Sequence, residues 1–420
     1  MIFFYNLFIR LYRAGIWIAA MFNAKARQWG EGRRAIFDRL SASFEGNDAP
    51  VLWMHCASLG EFEQGRPVLE SFRKERPGYK ILLTFFSPSG YEVRKNYGGA
   101  DWVYYLPLDT RKNVRRFMDI VRPNLCVFVK YEYWYHYLHT LYERQVPTIL
   151  ISAIFRENAV FFKSYGGLQR RMVNFFSRVF VQDEESKGRL SHIFPDEKIT
   201  VAGDTRYDRV MEIAGQFKPI PAIEQFLNGR RALVAGSTWP EDEKVLSKFI
   251  ESTSFDISLI IAPHEIHESH INFLLSLFPD ATQFSDWEKS VQNGDGLSAG
   301  KVLIINNIGM LSRLYHYATI SYIGGGFNKS GIHNTLEAAV YGRPVVFGPE
   351  YQKFAEAKLL IKNLGGYSYN NDNQFFDILN TLLTDETLRL KSGMAAGNQV
   401  KENAGATDKI MKYILEEAIV

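Results

Sequence analysis

Short apolar runs alternate with longer amphipathic stretches along most of this 420-residue chain. The runs are rich in β-branched and aromatic residues and are bounded by glycine, proline or polar positions, as buried strands are. The stretches between them are long enough for the helices that must connect parallel strands. The pattern therefore predicts parallel strands at residues 51–55, 80–84, 103–106, 125–129, 148–152, 178–181 and 199–202, and again at 231–235, 257–262, 302–305, 319–323 and 344–347.

The series of strands and helices restarts at residue 231, after a segment that contains Pro219 and Pro221. Two prolines at such a point are typical of a linker, and the chain is too long for one ordinary hydrophobic core. We therefore predict an α/β fold of two doubly wound, Rossmann-like domains, residues 36–217 and 218–420, that follow an N-terminal segment of residues 1–35.

The N-terminal segment is strongly apolar, but Asn6, Arg10 and Arg13 interrupt it. A secretory signal would begin with positive charge, and the uncharged run before Arg10 is shorter than the roughly 20 residues that span a bilayer. A helix in the membrane interface tolerates arginines, because their stems reach to the headgroups. We predict this interfacial, membrane-associating helix, with a tilted span and a soluble docking helix as alternatives. The following basic residues would face anionic lipid on the cytoplasmic side: Lys25, Arg27, Arg33 and Arg34.

Composition narrows the class of protein. Apolar residues make up 46% of the chain and charged residues 23%, which is typical of a globular protein. A net charge of only +3 does not predict a nucleic-acid partner. Cys56 and Cys126 lie far apart in apolar runs, so they indicate buried thiols in a reducing compartment and no cysteine metal site.

The strand predicted at 319–323 runs into a glycine-dense loop that contains Gly324, Gly325 and Gly326. Glycines let backbone N–H groups approach a ligand closely, and the start of the following helix favours a phosphate. Glu337 in its first turn suits the hydroxyl groups of a ribose. With His333 nearby, this pattern indicates a nucleotide-sugar site, and an ordinary strand–turn–helix packing point is the alternative.

Polar residues also follow three other predicted strands, where ligands of parallel sheets bind. Glu61, after Ser58 and Gly60, would be a carboxylate kept ionised at a helix N-terminus, which suits a base or merely a cap. Lys130 and Glu132 stand among aromatic residues, which indicates a polar ligand held against rings or an aromatic edge of the core.

Ser237 and Thr238 follow the first predicted strand of the second domain. Small hydroxyls and free N–H groups at such a turn can bind phosphate. A helix N-cap at either residue is the competing interpretation.

In their order along the chain, these motifs resemble those of the bacterial Kdo transferases, which move 3-deoxy-D-manno-octulosonic acid (Kdo) onto the lipid A precursor. The resemblance covers nearly the whole chain. The matching segments are His55-x-x-Ser58-x-Gly60-Glu61, Glu132-x-Trp134, residues 203–208, 236–238 and 324–325, Gly331-x-His333-Asn334-x-Leu336-Glu337-Ala338-Ala339, and Gly348-Pro349 with Phe354.

The resemblance implies the GT-B fold, in which two Rossmann-like domains face a cleft, a CMP-Kdo donor, and inversion of the anomeric centre without a metal ion or other cofactor. It implies that Glu61 is the general base and that Glu132 serves acceptor positioning or the transition state. Acceptor-binding residues would be Ser58, Gly60 and Lys130. Donor-binding residues would be Ser237, Thr238, His264, Gly324, Gly325, Gly326, Lys329, His333, Asn334 and Glu337, with Glu337 on the ribose.

The chain departs from the family pattern at residues 263–268, where an arginine expected to meet the donor is missing. We expect His264 or Lys329 to replace its positive charge. Lys130 likewise stands where the family often has a carboxylate, and Tyr135 where proline is common.

The resemblance implies a Kdo transferase of the cytoplasmic face of the inner membrane. Its first domain would bind the lipid acceptor, its second domain would bind CMP-Kdo, and its N-terminal helix would bind the lipid surface. Two alternatives stay open. One is a GT-B transferase or epimerase that uses a UDP-sugar, and the other is a non-enzymatic, membrane-peripheral protein that binds nucleotide or lipid.

Overall fold

A computed structural model describes residues 1–294 and 300–418 as two compact units. The first unit comprises Met1–Arg209 together with the C-terminal segment from Ala404, and the second is Val210–Asn403. The prediction that everything from residue 218 onward forms the second domain is therefore wrong at the C-terminus.

The return of the C-terminal segment to the first unit has a local cause. Ile410 and Ile414 are fully buried in a core cluster of that unit. Asp208 accepts hydrogen bonds from the backbone N–H of Gly405, at 2.5 Å, and from the N–H and hydroxyl of Thr407, both at 2.6 Å. Burial of apolar side chains and hydrogen bonds to Asp208 thus hold the C-terminal segment on the first unit. The sequence around residue 404 does not indicate either interaction.

The first unit contains a parallel seven-stranded sheet of order β3-β2-β1-β4-β5-β6-β7. All seven predicted strands are confirmed, within one residue at most ends. They are β1 (Val51–Cys56), β2 (Lys80–Phe85), β3 (Trp102–Tyr105), β4 (Leu125–Val129), β5 (Thr148–Ala153), β6 (Arg178–Val181) and β7 (Ile199–Val201).

Helices cover this sheet, as parallel strands require. They are α1 (Ile2–Ala19), α2 (Ala24–Glu31), α3 (Ile36–Phe44), α4 (Leu59–Glu75), α5 (Pro88–Arg94), α6 (Arg111–Val121), α7 (Tyr135–Glu143), α8 (Gly167–Val173), α9 (Glu184–Leu190) and α10 (Thr205–Gly215). The boundary between the two units falls within α10. The C-terminal segment adds α20 (Ala406–Tyr413) and a π-helix (Ile414–Ala418) to the first unit.

The second unit also has a parallel seven-stranded sheet, of order β10-β11-β9-β8-β12-β13-β14. Its two edge strands, β10 and β14, were not predicted, because they are short and mostly half-exposed and so carry no apolar run. The strands are β8 (Arg231–Thr238), β9 (Ile257–Pro263), β10 (Thr282–Gln283), β11 (Val302–Ile304), β12 (Ile320–Ile323), β13 (Val345–Phe347) and β14 (Gly366–Ser368).

The helices of the second unit connect these strands. They are α11 (Pro221–Leu227), α12 (Pro240–Ser252), α13 (Glu268–Leu277), α14 (Phe284–Asn293), α15 (Leu311–Leu314), α16 (Leu336–Ala339), α17 (Ala355–Lys362), α18 (Asp372–Thr384) and α19 (Glu386–Asn403).

Helix α1 packs with one face against the rest of the first unit. The hydroxyl of Tyr5 donates to Asp109 Oδ2 at 2.5 Å, Asn6 Oδ1 lies 2.6 Å from His136 Nε2, and Ile9 is buried. Within residues 1–294 and 300–418, no helix combines the length and apolar character that crossing a membrane requires. Seven large apolar side chains of α1 are solvent-exposed: Phe3, Phe4, Leu7, Phe8, Leu11, Trp17 and Ile18.

Candidate functional site

The carboxyl ends of β1 and β4 bring Glu61 and Glu132 together in the first unit. The two strands are neighbours in the sheet, so the segments that follow them lie side by side. Glu61 lies in the first turn of α4, and Glu132 lies in the loop before α7. The charge of Glu132 raises the pKa of Glu61, so the pair is close enough to interact.

Glu61 has the electrostatic properties of a base for neutral pH. Burial, and secondly the charge of Glu132, raise its pKa to about 7, against the opposing effect of backbone N–H groups of Ala57 and Ser58. Glu61 Oε2 accepts the N–H of Ala57, so the side chain also closes the loop, as the capping interpretation expected. Capping fixes the carboxylate, and the raised pKa lets it exchange a proton near neutral pH.

Glu132 is held by two donors on one oxygen. His55 Nε2 lies 2.9 Å and Trp134 Nε1 lies 2.6 Å from Glu132 Oε2. His55 is itself fully buried, and its Nδ1 lies 2.9 Å from the hydroxyl of Thr84. The carboxylate is therefore held in a fixed orientation through Oε2.

The remaining predicted residues of the first unit surround this pair. Ser58 is the N-cap residue of α4, although its side chain makes no cap hydrogen bond. Gly60 is exposed, and a methyl group added there would meet nothing within 4 Å. Lys130 has a φ of 65°, which is unusual for a residue other than glycine. Such strain at the end of a strand is typical of functional sites.

The first unit also has an apolar cavity beside Glu132. Its volume is about 830 Å³. Side chains of α1 form one wall, and the loop that contains Glu132 forms another. The lining includes Met1, Phe4, Phe8, Tyr131, Tyr133, Trp134, Phe161, Leu168 and Met172.

In the second unit, Ser237 and Thr238 end β8, but they do not cap a helix. The N-cap residue of α12 is Trp239, whose N–H donates to Asp242 at 2.9 Å. Pro240 occupies the first helical position, which proline favours, so α12 begins after Ser237 and Thr238. Ser237 has a φ of 54°, again a strained non-glycine residue. Thr238 is buried and its hydroxyl donates to Glu243 at 2.9 Å, so that proton is not free for a phosphate.

The glycine turn is used largely for close backbone packing. A methyl group on Gly324 would lie 2.3 Å from the carbonyl oxygen of Ser237, and one on Gly326 would collide with Gly348. Gly325 has a φ of +90°, and its N–H donates to Asp242 Oδ2 at 2.9 Å. This N–H is therefore used inside the protein, and the donor-binding role of the three glycines stays a prediction.

Three rings assemble next to the glycine turn. The ring centroids of Trp239 and His264 lie 4.7 Å apart and those of His264 and His333 lie 4.5 Å apart. The indole N–H of Trp239 donates to His333 Nε2 at 3.3 Å. Burial, and secondly His264, lower the pKa of His333 to about 4. His333 is thus neutral at pH 7, and its Nδ1 carries the proton that a ligand oxygen can accept.

Asn334 orients Glu337. Its amide nitrogen donates to Glu337 Oε1 at 3.2 Å, and its Oδ1 accepts the N–H of Leu336 at 3.2 Å. Helix α16 has only four residues, so its dipole offers little to an anion. Lys329 is exposed in the turn after Gly326.

Comparisons with known proteins test the resemblance that the motifs indicated. Residues 32–209 match the family model described as "3-Deoxy-D-manno-octulosonic-acid transferase (kdotransferase)". The Kdo transferase of Haemophilus influenzae is 25% identical over 374 residues, which cover 86% of this chain and 86% of that protein. The Kdo transferase of Aquifex aeolicus is 27% identical over 339 residues, 80% of this chain and 86% of that protein. The resemblance to the Kdo transferases is thus confirmed, by the family model over residues 32–209 and by these relatives over most of the chain.

Structural similarity supports the fold. The UDP-GlcNAc 2-epimerase of Neisseria meningitidis, solved with UDP-GlcNAc bound, has a TM-score of 0.60 and covers 88% of this chain and 100% of its own. Its sequence identity is only 14%, so the likeness concerns the fold alone. The predicted α/β, GT-B-like fold is confirmed, and the similarity to named Kdo transferases indicates that the protein is a glycosyltransferase.

The structure gives contacts to two residues, His55 and Trp239, that were not among the predicted site residues. His55 orients Glu132, and Trp239 stacks on His264 and binds His333. A signal for His55 exists in hindsight, since it is a polar residue at the buried end of an apolar strand. Trp239 offers no such signal, because an aromatic residue before Pro240 is also typical of a core.

Proposed function

We propose that this protein transfers Kdo from CMP-Kdo to the lipid A precursor, with inversion and without a metal ion, at the cytoplasmic face of the inner membrane. One observation carries the proposal. A carboxylate with a pKa of about 7, Glu61, lies beside Glu132, which lines an apolar cavity large enough for a lipid chain.

In the proposed reaction, an acceptor hydroxyl oxygen forms the new bond to the anomeric carbon of Kdo. The bond from that carbon to the phosphate oxygen of CMP breaks, and CMP leaves with the electron pair. Glu61 takes the hydroxyl proton as the new bond forms, and Glu132 Oε1 accepts a hydrogen bond from a neighbouring acceptor hydroxyl. A general base contributes about 10²–10⁴-fold to such a reaction.

The second unit would bind the donor. The Nδ1–H of His333 and the ammonium group of Lys329 are suited to the phosphate or carboxylate of CMP-Kdo. Of the two residues expected to replace the charge of the missing arginine, Lys329 would supply it. Glu337, oriented by Asn334, would accept hydrogen bonds from the ribose. His264 would contribute through its stack with Trp239.

The lipid acceptor and the membrane would meet the first unit. The exposed face of α1 is apolar, and the same helix forms a wall of the cavity beside Glu132. A helix that lies in the interface would therefore bring the cavity to the depth at which lipid chains begin.

The decisive experiment is incubation of the full-length protein with CMP-Kdo and a tetra-acylated lipid A precursor, followed by mass spectrometry of the lipid. Addition of one or more Kdo masses is expected. An unmodified lipid together with thermal stabilisation by UDP and none by CMP would contradict the proposal and favour a UDP-sugar enzyme.

A further inference from the structure

A histidine–carboxylate cluster lies at the start of α13, beside the carboxyl end of β9. Glu265, His267 and His270 each offer a ligand atom, and these atoms all lie within 4.8 Å of one another. We propose that this α13 cluster binds a divalent transition-metal ion of the zinc class. The cluster begins directly after His264, but none of its three residues has a role in the proposed sugar transfer, so the proposal does not depend on that function.

The donor set suits zinc. Two imidazoles and one carboxylate are common Zn²⁺ ligands, and water can complete the coordination. His267 Nε2 lies 2.9 Å from Glu265 Oε2, to which its N–H donates, and a metal ion bound by both atoms would replace that proton. Both side chains are about half exposed, so modest rotations can bring them onto one ion.

Binding through His267 Nε2 requires that the proton move to Nδ1. Nδ1 now accepts the N–H of His270 at 3.2 Å, and it lies 3.0 Å from the hydroxyl of Ser269. That hydroxyl oxygen can accept the relocated proton. On metal binding, the helix-cap hydrogen bond from the N–H of His270 to His267 Nδ1 would be lost. A hydrogen bond from Nδ1–H to the hydroxyl oxygen of Ser269 and the bond from Nε2 to the metal ion would replace it.

A buried carboxylate supports His270 from behind. His270 Nε2 lies 2.9 and 3.0 Å from the two carboxylate oxygens of Glu243, and both residues are buried. An ionised carboxylate only accepts, so Nε2 donates and Nδ1 keeps the lone pair that a metal ion needs. Metal-binding histidines commonly donate their other ring N–H to a carboxylate in this way. Simple helix capping explains His267 but neither Glu265 nor the pair of His270 and Glu243.

The supporting carboxylate also connects the cluster to the end of β8. Glu243 Oε1 accepts the hydroxyl of Thr238, next to the strained Ser237. His270, Glu243 and Thr238 thus form one hydrogen-bonded chain. An ion bound to His270 would therefore affect the conformation of the chain at the end of β8.

The test is titration of the untagged, full-length protein with Zn²⁺ by isothermal calorimetry in a non-chelating buffer. The variants are Glu265→Gln and His267→Asn. Asparagine is itself a good N-cap residue, so His267→Asn preserves the helix start. His192→Asn, which changes an exposed histidine of the first unit, is the matched control. Thermal melts without metal verify that each variant is folded.

We expect one Zn²⁺ per chain, an affinity at least about tenfold lower in both cluster variants, and no change in the control. Cobalt absorption with the shape of a mixed nitrogen and oxygen site should appear in the wild type and weaken in His267→Asn. No Zn²⁺ binding by the wild type would overturn the proposal. So would binding that both cluster variants retain, since the ion would then lie elsewhere.

Discussion

Glu132 Oε2 lies 2.9 Å from Nε2 of the buried His55. The histidine comes from the end of β1, and the carboxylate follows the neighbouring strand β4. A buried donor of this kind holds the carboxylate in one orientation and so makes a flexible loop residue into a fixed part of the site. The orientation matters because the charge of Glu132 helps to set the pKa of Glu61.

His55 is therefore predicted to act as a positioning residue for Glu132. Replacement by leucine removes a hydrogen bond to a charged group, typically worth about 1.5–3 kcal/mol, so kcat should fall roughly 10–100-fold. His55→Gln, whose amide can still donate, should recover part of this loss. Steady-state kinetics of Kdo transfer checks the prediction. Equal losses in both variants, or a change in KM alone, would contradict it.

Glu61→Gln should reduce Kdo transfer by about 10²–10⁴-fold, because the amide cannot accept the acceptor proton. CMP affinity, measured by calorimetry, should stay within a few fold. Glu63→Gln is the matched control, since Glu63 lies on the same helix and pairs with Arg94 at 2.8 Å. Wild-type turnover by Glu61→Gln would remove Glu61 from the role of base.

The pH dependence of transfer should follow Glu61. Its pKa is raised to about 7, so the base is largely protonated below pH 7 and ionised above it. The value of kcat/KM should therefore rise with pH and level off above about pH 7. In Glu132→Gln the inflection should move to lower pH, because a neighbouring negative charge is gone. The pH–rate profiles of the wild type and of Glu132→Gln test this prediction. An inflection at the same pH in both would show that the charge of Glu132 does not affect the pKa of Glu61.

The exposed stripe of α1 should bind lipid surfaces. Phe3, Leu7 and Leu11 lie four positions apart, hence on one face, and all are exposed. Their joint replacement by serine should weaken binding to anionic vesicles by at least about 100-fold, since each buried apolar side chain contributes about 1.5–3 kcal/mol. Vesicle sedimentation measures the effect.

The matched control for α1 is Leu390→Ser, because Leu390 is a comparably exposed apolar residue elsewhere in the chain. The melting temperature of both variants should equal that of the wild type, as neither change touches the core. Undiminished vesicle binding by the triple variant would show that α1 does not hold the protein at lipid.

The amino-acid sequence by itself determined the architecture. The apolar runs at β1, β4, β8 and β12 predict parallel strands, because strands buried on both faces need continuous apolar sequence whatever their neighbours are. It also indicated that Glu61 and Glu132 share an edge, since residues after parallel strands must emerge on the same side of the sheet.

Only the tertiary structure decided what each polar group binds. The N–H of Gly325 is used by Asp242, 83 positions away, although it has the local pattern of a phosphate contact. The same holds for the C-terminal segment, which Asp208 binds from nearly 200 positions away. Hydrogen bonds between residues far apart in sequence depend on which segments the fold brings together, and the local sequence pattern does not predict those pairings.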